Sequence, residues 1–313
     1  MIAGVRRVAV VSTGVIGASW AALFLARGLD VVATDPAPDA EERLRADVAA
    51  HWPVLDAVAG ASPDRLVFTA DVAEAVADAD FVQENGPERE DVKHELVAVL
   101  DAAAGPDVVI ASSSSGLLPT VIARGAPAHP ERVLVGHPFN PPHLIPLVEV
   151  VPGERTSEAA VERAMAFYLA VGKRPIRLRQ ELPGHVANRL QAALWQEAYS
   201  LVERGVATVA DVDTAIAHGP GLRWAILGPF LNQHLSGGPG GIAHILEHLG
   251  PPTEAWWRDL RQVTLTPELV DTLVAGVDDE IAAAGLGDTA ALVAHRDAVL
   301  TTLLDAKSRT ELP

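Results

Sequence analysis

Short runs rich in valine and isoleucine alternate with longer helical patterns along the first 182 residues, and this alternation restricts the possible folds more than any other feature. The runs predicted as strands are residues 5–11, 30–34, 65–69, 80–83, 107–111, 132–136, 146–151 and 174–178. The helical patterns between them cover residues 15–28, 38–59, 88–103 and 157–171. Strands separated by helices of this length form βαβ units. We therefore predict an α/β fold with a doubly wound, mainly parallel sheet.

The strand patterns stop at Pro183-Gly184, and the rest of the chain reads as helices separated by Gly-Pro clusters. The predicted helices are residues 185–204, 208–218, 240–249, 267–284 and 289–306. We predict one domain over residues 1–183 and an all-helical domain over residues 184–313. The last helices carry many small and apolar residues, so we expect part of their surface to be buried between subunits.

Composition excludes several classes of protein. The chain has 313 residues and a formal net charge of −17, which disfavours a nucleic-acid binder because that role needs a basic face. It contains no cysteine, so disulfides and thiolate sites are excluded. The first residues lack the pattern of a signal peptide, and no apolar run is long enough to cross a bilayer. We expect no membrane association and a cytoplasmic location.

The first predicted strand runs into a glycine-containing turn, "VAVVSTGVIGASW". A Rossmann-like dinucleotide-binding turn has the pattern G-x-G-x-x-G, and here Ser12 stands at the first glycine position, with Gly14 and Gly17 at the other two. Backbone N–H groups near Val15 and Ile16 open the following helix and would face the pyrophosphate. Ser12 is harmful only if its φ angle must be positive, and we expect it to be tolerated.

Asp35 ends the next strand, 18 residues after Gly17. An acid at this position bonds the ribose 2′-hydroxyl and repels a 2′-phosphate, which favours NAD over NADP. Strand, turn, helix, strand and acid in this order predict an NAD-binding domain over residues 1–183.

A histidine and an acid lie on two consecutive predicted strands, in "RVLVGHPFNPPHLIPLVEVV". Glu149 interrupts an apolar run, so its burial would be costly without a hydrogen-bonded partner, and His137 is the nearest credible one. Such a pair leaves one imidazole nitrogen free to transfer a proton. The alternative is a core histidine and an unrelated glutamate on an edge strand.

The whole set of motifs resembles the 3-hydroxyacyl-CoA dehydrogenase superfamily, and within it the branch of L-gulonate 3-dehydrogenase (lambda-crystallin) and carnitine 3-dehydrogenase. The similarity covers about residues 5–260. The motifs that carry it are STGVIGASW, TDP, VQENGPERE, ASSSSGL, GHPFNP, PLVEVV, PGHVANRLQAALWQEA and GPGLRWAILGPF.

The resemblance implies a role for individual residues. His137 matches the catalytic histidine and Glu149 its orienting acid, while Ser115 and Asn188 match residues that contact the reacting oxygen. Glu84 and Lys93 match positions near the nicotinamide half of the cofactor. The implied reaction is reversible hydride transfer between NAD and a 3-hydroxy acid or 3-hydroxyacyl compound. The helical domain is implied to bind substrate and to form a homodimer.

Several substrates and roles stay open at this point. The chain has only three lysines, which disfavours an acyl-CoA. His143 stands where gulonate and carnitine relatives typically have tyrosine, which argues against both substrates, although Trp224, Trp256 and Trp257 are possible walls for a quaternary ammonium. A ketoreductase acting on a polyketide-like β-keto intermediate is one alternative. A non-catalytic, crystallin-like structural or NAD-binding protein is another.

Residues 244–248 spell H-x-x-E-H, a pattern found in some zinc proteases. The pattern predicts a short helix here, bracketed by Gly-Pro clusters and without an obvious third ligand. We therefore expect solvent-facing polar residues and no metal site.

Overall fold

The computed structural model describes residues 3–285 and 288–310. The chain divides into two compact units, Met1–Arg189 and Leu190–Pro313, and the division falls near the start of a long helix. Among the described residues, no helix is both long and apolar enough to cross a membrane.

The first unit is built on one eight-stranded sheet in the order β3-β2-β1-β4-β5-β6-β7-β8. Only the β6–β7 pair is antiparallel, and the other neighbours run parallel. The strands are β1 Arg7–Val11, β2 Asp30–Thr34, β3 Leu66–Phe68, β4 Phe81–Glu84, β5 Val109–Ser112, β6 Val133–Pro138, β7 Leu147–Pro152 and β8 Arg174–Arg177.

Helices lie between consecutive strands, except between β6 and β7, and make up the regular structure of the second unit. They are α1 Val15–Ala26, α2 Ala40–His51, α3 Val72–Ala77, α4 Glu90–Ala103, α5 Pro119–Ile122, α6 Glu158–Ala170, α7 Ala187–Glu203, α8 Val209–Ala217, α9 Pro220–Trp224, α10 Pro229–Ser236, α11 Gly241–Asp259, α12 Pro267–Ala284 and α13 Thr289–Ser308.

The sheet is covered on both faces, which explains its near-continuous apolar strands. Side chains of β1 alternate between two buried clusters, with Val8 and Val10 in one and Ala9 and Val11 in the other. Helix α1 belongs to the first of these clusters and is buried from Gly17 to Ala26. Burial on both faces is typical of parallel sheets, since crossover helices cover each side. The predicted α/β fold followed by a helical region is confirmed.

Two details differ from the sequence-based expectation. The helix with the H-x-x-E-H pattern was predicted to be short and to end before Gly250, but α11 continues through Pro251 and Pro252 to Asp259. Proline lacks an N–H group and usually ends a helix, so the sequence pattern wrongly predicted a helix end before these two prolines. The short helices α3, α5, α9 and α10 were not predicted, because one or two turns give too little periodicity to detect.

Candidate functional site

The sheet order reverses between β1 and β4, and ligands of open α/β sheets bind beyond the carboxyl ends of the strands at such a point. Val11, the last residue of β1, lies opposite Glu84, the last residue of β4. The turns that follow these strands are therefore neighbours. They carry the predicted cofactor residues from Ser12 to Gly17 on one side and Glu84 on the other.

The turn after β1 fits a dinucleotide pyrophosphate. A Cβ atom at Gly17 would lie 2.0 Å from the Ser12 carbonyl oxygen, so this close packing of turn and helix requires glycine. A Cβ at Gly14 would meet nothing within 4 Å, which leaves that face open. Helix α1 has no side-chain cap, and Val15 in its first turn is 71% exposed, while Ile16 packs on the core. Its first N–H groups are thus free to bind an anion.

Asp35 lies directly beside this turn. Its Oδ2 accepts a hydrogen bond from the Thr13 N–H at 2.7 Å, and its Oδ1 accepts one from the Ala37 N–H at 2.8 Å. Each carboxylate oxygen keeps a second lone pair, so the group can also accept from a ribose hydroxyl. The acid and the glycine turn are therefore held as one local unit, which fits an adenosine ribose next to the pyrophosphate.

Ser12 has a φ angle of +66°. This is the left-handed region, where residues other than glycine are strained by roughly 1–3 kcal/mol. The surroundings hold the conformation, because the Ser12 N–H donates to the Thr34 carbonyl at 2.8 Å and the Asn85 amide donates to the Val11 carbonyl at 3.1 Å. The serine therefore occupies a backbone conformation that suits glycine.

Glu84 and Lys93 form a buried ion pair. The Lys93 ammonium lies 2.7 Å from both Glu84 oxygens and also donates to the Gly86 carbonyl at 2.9 Å. The Ser112 hydroxyl donates to Glu84 Oε2 at 2.6 Å, and both members of the pair are buried. The two side chains bind each other, and Lys93 also binds the turn after β4. The pair would therefore influence a nicotinamide ring only indirectly, by fixing the half-buried backbone of that turn.

His137 and Glu149 are brought together by strand register. The antiparallel β6–β7 pair places these two residues directly opposite each other, on the same face of the sheet. His137 Nδ1 lies 2.9 Å from Glu149 Oε2, and both side chains are buried. A carboxylate accepts hydrogen bonds, so the hydrogen lies on Nδ1, and Nε2 is the nitrogen available for proton exchange.

Two backbone groups complete the shell around Glu149. Its Oε1 accepts from the N–H groups of Val186 and Ala187 at 2.8 and 3.0 Å, where α7 begins. Burial raises the pKa of Glu149, but the hydrogen bonds from His137, Ala187 and Val186 outweigh it and hold the pKa below its ordinary value. The carboxylate is therefore ionised at neutral pH.

Ser115 and Asn188 lie on the two segments next to this pair. Ser115 is exposed in the loop after β5, and Asn188 is half-buried in the first turn of α7, directly after Ala187. Within the described part of the chain, no hydrogen bond joins either residue to His137 or Glu149. Neither side chain has a hydrogen-bond partner among the described residues.

Two residues of this region were missed from the sequence. Glu88 Oε1 accepts from the Ser114 hydroxyl and from the N–H groups of Gly116 and Leu117, at 2.6, 2.9 and 2.7 Å, so it clamps the loop that carries Ser115. His185 is buried and donates from Nε2 to the Ser114 carbonyl at 3.1 Å. The only sequence signals were a second acid in "QENGPERE" and a histidine three residues before Asn188.

The remaining sequence candidates take no part in these hydrogen bonds. His143 is buried, contacts the Ser19 hydroxyl at 2.8 Å and stacks on His51. Trp224, Trp256 and Trp257 are exposed and belong to the unit Leu190–Pro313. In α11, His248 Nδ1 donates to the His244 carbonyl one turn earlier. Residues 3–285 and 288–310 contain no group of three or more side chains arranged to hold a metal ion.

Comparison with known proteins gives two family matches that together cover most of the chain. Residues 7–182 match the NAD binding domain of 3-hydroxyacyl-CoA dehydrogenase, and residues 184–280 match its C-terminal domain. An L-carnitine dehydrogenase of Streptomyces coelicolor is 53% identical over 308 residues, which are 97% of this chain and 96% of that protein. An L-carnitine dehydrogenase of Pseudomonas putida is 47% identical over 97% of this chain and 95% of its own length.

A solved structure has a similar fold along nearly the entire chain. It is 5-formyl-3-hydroxy-2-methylpyridine 4-carboxylic acid 5-dehydrogenase, described as an NAD⁺-dependent dismutase, with a TM-score of 0.83 and 31% sequence identity. The similarity covers 98% of this chain and 100% of that one.

Replacing Ser12 by glycine tests whether the strained turn limits cofactor binding. We expect Ser12→Gly to relieve left-handed strain and to lower the NADH Kd by no more than about tenfold, since the binding groups are the open face at Gly14 and the helix end. Fluorescence titration with NADH measures the change. Ser62→Gly, at a serine with extended φ in a distant turn, is the control. A loss of NADH binding in Ser12→Gly would mean that the serine hydroxyl itself holds the cofactor.

Proposed function

Since this chain belongs to the 3-hydroxyacyl-CoA dehydrogenase family and is an NAD-dependent oxidoreductase acting on a CH–OH group, we propose that it oxidises L-carnitine at its 3-hydroxyl group to the 3-keto acid. The observation that carries this proposal is the similarity to L-carnitine dehydrogenases at 45–53% identity over at least 95% of the chain. The non-catalytic alternative is set aside on the same grounds.

The charged side chains favour a free acid over an acyl-CoA. A CoA substrate needs cations for its phosphates, and of the three lysines Lys93 and Lys173 are buried. The third, Lys307, donates to the Ala225 carbonyl at 2.6 Å. No lysine is therefore left for a nucleotide tail, and any such contact would fall to arginines.

His137 is the proposed base. Its Nε2 takes the proton of the substrate hydroxyl, while Glu149 holds the other nitrogen and stabilises the imidazolium that forms. NAD, when bound, accepts the hydride that leaves carbon 3. Ser115 and Asn188 hydrogen-bond the reacting oxygen and hold it in line with Nε2. In the reverse direction the imidazolium returns the proton to the ketone oxygen.

Phe139 supplies a surface for the quaternary ammonium. Its ring lies 5.5 Å from the ring of His137, nearly edge-on to it, and is half-buried. In carnitine the ammonium is separated from the reacting carbon by a single methylene, so an aromatic face beside the base is well placed for it. The His143 ring is held by Ser19 inside the first unit, so the missing tyrosine at 143 is a weak argument against carnitine.

A substrate panel tests the proposed function. With NAD, L-carnitine should give a kcat/KM at least about tenfold above 3-hydroxybutyrate, L-gulonate and 3-hydroxybutyryl-CoA, because only carnitine carries the cation that Phe139 recognises. Absorbance of NADH follows the reaction. NADH oxidation with a β-keto ester measures the ketoreductase alternative.

The control for this panel is His137→Ala, which should lose turnover and keep NADH binding. Faster oxidation of gulonate or of the CoA ester than of carnitine would overturn the substrate assignment. Loss of NADH binding in His137→Ala would mean that the residue is structural.

We also propose that the chain forms a homodimer through the unit Leu190–Pro313. Among the described residues of this unit, Leu269 is the one large hydrophobic side chain that is buried. The exposed large hydrophobic side chains of this unit include Phe230 and Val299, whose exposed fractions are 74% and 71%. A cleft of about 430 Å³, lined by Trp195, Val274 and neighbours, is also apolar. Apolar surface on this scale marks an interface, and a second copy presents a complementary set of helices.

Sedimentation or light scattering measures the mass in solution. We expect twice the 32.9 kDa of one chain at micromolar concentration. Phe230→Asp and Val274→Asp place a charge on the apolar surface and should shift the mass toward the monomer. Leu169→Asp, at a side chain on α6 that is 60% exposed, should not. A monomeric wild type contradicts the proposal, and a shift in Leu169→Asp alone places the interface on the other unit.

A further inference from the structure

His185 joins two segments that approach the His137–Glu149 pair from different parts of the chain. It lies two residues before α7 and is completely buried. Its Nε2 donates to the Ser114 carbonyl at 3.1 Å. The two residues directly after it, Val186 and Ala187, are those whose N–H groups bind Glu149.

The other end of this hydrogen bond is also fixed. The Ser114 hydroxyl donates to Glu88 Oε1 at 2.6 Å, and Glu88 holds the next turn of the loop through the Gly116 and Leu117 N–H groups. We call residues 112–117 the serine loop. The His185–Ser114 bond thus connects a rigid serine loop, which carries Ser115, to the first turn of α7, which carries Asn188.

The hydrogen bond also fixes the protonation of His185. A carbonyl oxygen only accepts, so Nε2 carries the hydrogen, and Nδ1 is a bare acceptor with no hydrogen-bond partner among the described residues. The ring lies 5.2 Å from the ring of His137. The titratable groups around it are His137 on β6, Glu149 on β7 and Glu88 after β4. Burial lowers the pKa of His185, so the ring is neutral at neutral pH.

We propose that His185 is a positioning residue for the oxidoreductase reaction: its Nε2–Ser114 hydrogen bond locks the start of α7 to the serine loop and so sets Ser115 and Asn188 against the His137–Glu149 pair. The proposal rests on the proposed function of those four residues. The His185 side chain is buried, and in this proposal it does not contact the substrate. It acts on the reacting oxygen through the two polar groups whose spacing it fixes, and a shift of about 1 Å in such a group can slow a reaction roughly 100-fold.

Backbone geometry explains why few residues can fill this position. His185 has a φ angle of +50°, and histidine and asparagine are among the non-glycine residues that tolerate the left-handed region. The side chain must also reach the Ser114 carbonyl with a donor while it fills a buried space. Glutamine places an amide N–H near the position of Nε2, and phenylalanine keeps the ring volume without a donor.

These two substitutions have opposite expected outcomes. If the hydrogen bond matters, His185→Phe lowers kcat roughly 10- to 100-fold and His185→Gln keeps it within about threefold of wild type, with the NADH Kd unchanged in both. If His185 only fills space, His185→Phe retains activity and His185→Gln does not, and the proposal is overturned. A drop in both variants with intact hydrogen exchange would overturn it as well.

The matched control is the pair His94→Phe and His94→Gln. His94 also donates from Nε2 to a backbone carbonyl, that of Val121 at 2.8 Å, but it joins α4 to α5 and lies outside the candidate site. Neither His94 variant should change kcat more than about twofold.

Hydrogen exchange followed by mass spectrometry gives a readout that needs no turnover. His185→Phe should speed amide exchange in peptides covering residues 112–117 and 183–190, whereas His185→Gln should leave both protected. If wild type oxidises a different hydroxy acid from carnitine, the same ratios are measured with that acid. The substrate proposal then fails while the role of His185 is still decided.

A mutant cycle with the double variant Ser115→Ala/Asn188→Ala tests the route of the effect. If His185 acts through these two groups, His185→Phe should slow the double variant less than about threefold, because both groups that it positions are already absent. Additive losses would contradict this route.

Discussion

The buried carboxylate of Glu149 is the group on which the geometry of this site depends. An ionised carboxylate inside an apolar sheet is costly unless its oxygens are fully hydrogen-bonded. Glu149 meets this requirement with one imidazole N–H and two backbone N–H groups, from His137, Val186 and Ala187. One side chain therefore orients the histidine on β6 and anchors the start of α7, although the partners lie 12 and 37–38 residues away in sequence.

The topology of the sheet brings the partners of Glu149 and the cofactor turn close together. The antiparallel turn from β6 to β7 places His137 opposite Glu149, and the reversal of strand order between β1 and β4 places the cofactor turn at the same edge of the sheet. The buried Glu84–Lys93 pair fixes the turn between these two regions. Rigid strands thus carry the base, while loops held by single buried side chains carry the groups that contact ligands.

The sequence allowed the fold to be predicted because short apolar runs alternate with longer helical patterns along its first 182 residues. It also allowed the His137–Glu149 pair to be suggested, since a lone acid in an apolar strand needs a partner. The left-handed φ of Ser12, the burial of Glu84 with Lys93 and the bond from His185 to Ser114 were beyond it. These features depend on which distant segments contact each other in the folded chain, and a local sequence pattern does not predict such contacts. The prolines of α11 led to a wrong helix end for a different reason. Proline usually ends a helix, but here the helix continues through Pro251 and Pro252.

The role of the Glu149 carboxylate is tested most directly by the rate at which the Glu149→Gln variant reduces NAD. This rate is measured under single-turnover conditions with the hydroxy acid that the wild-type enzyme oxidises best. Glutamine keeps the volume but loses the charge that fixes the His137 tautomer and stabilises its imidazolium. We expect a rate roughly 100- to 10,000-fold below wild type, with the NADH Kd within about twofold of the wild-type value. A rate within about threefold of wild type, in a folded enzyme, would contradict it.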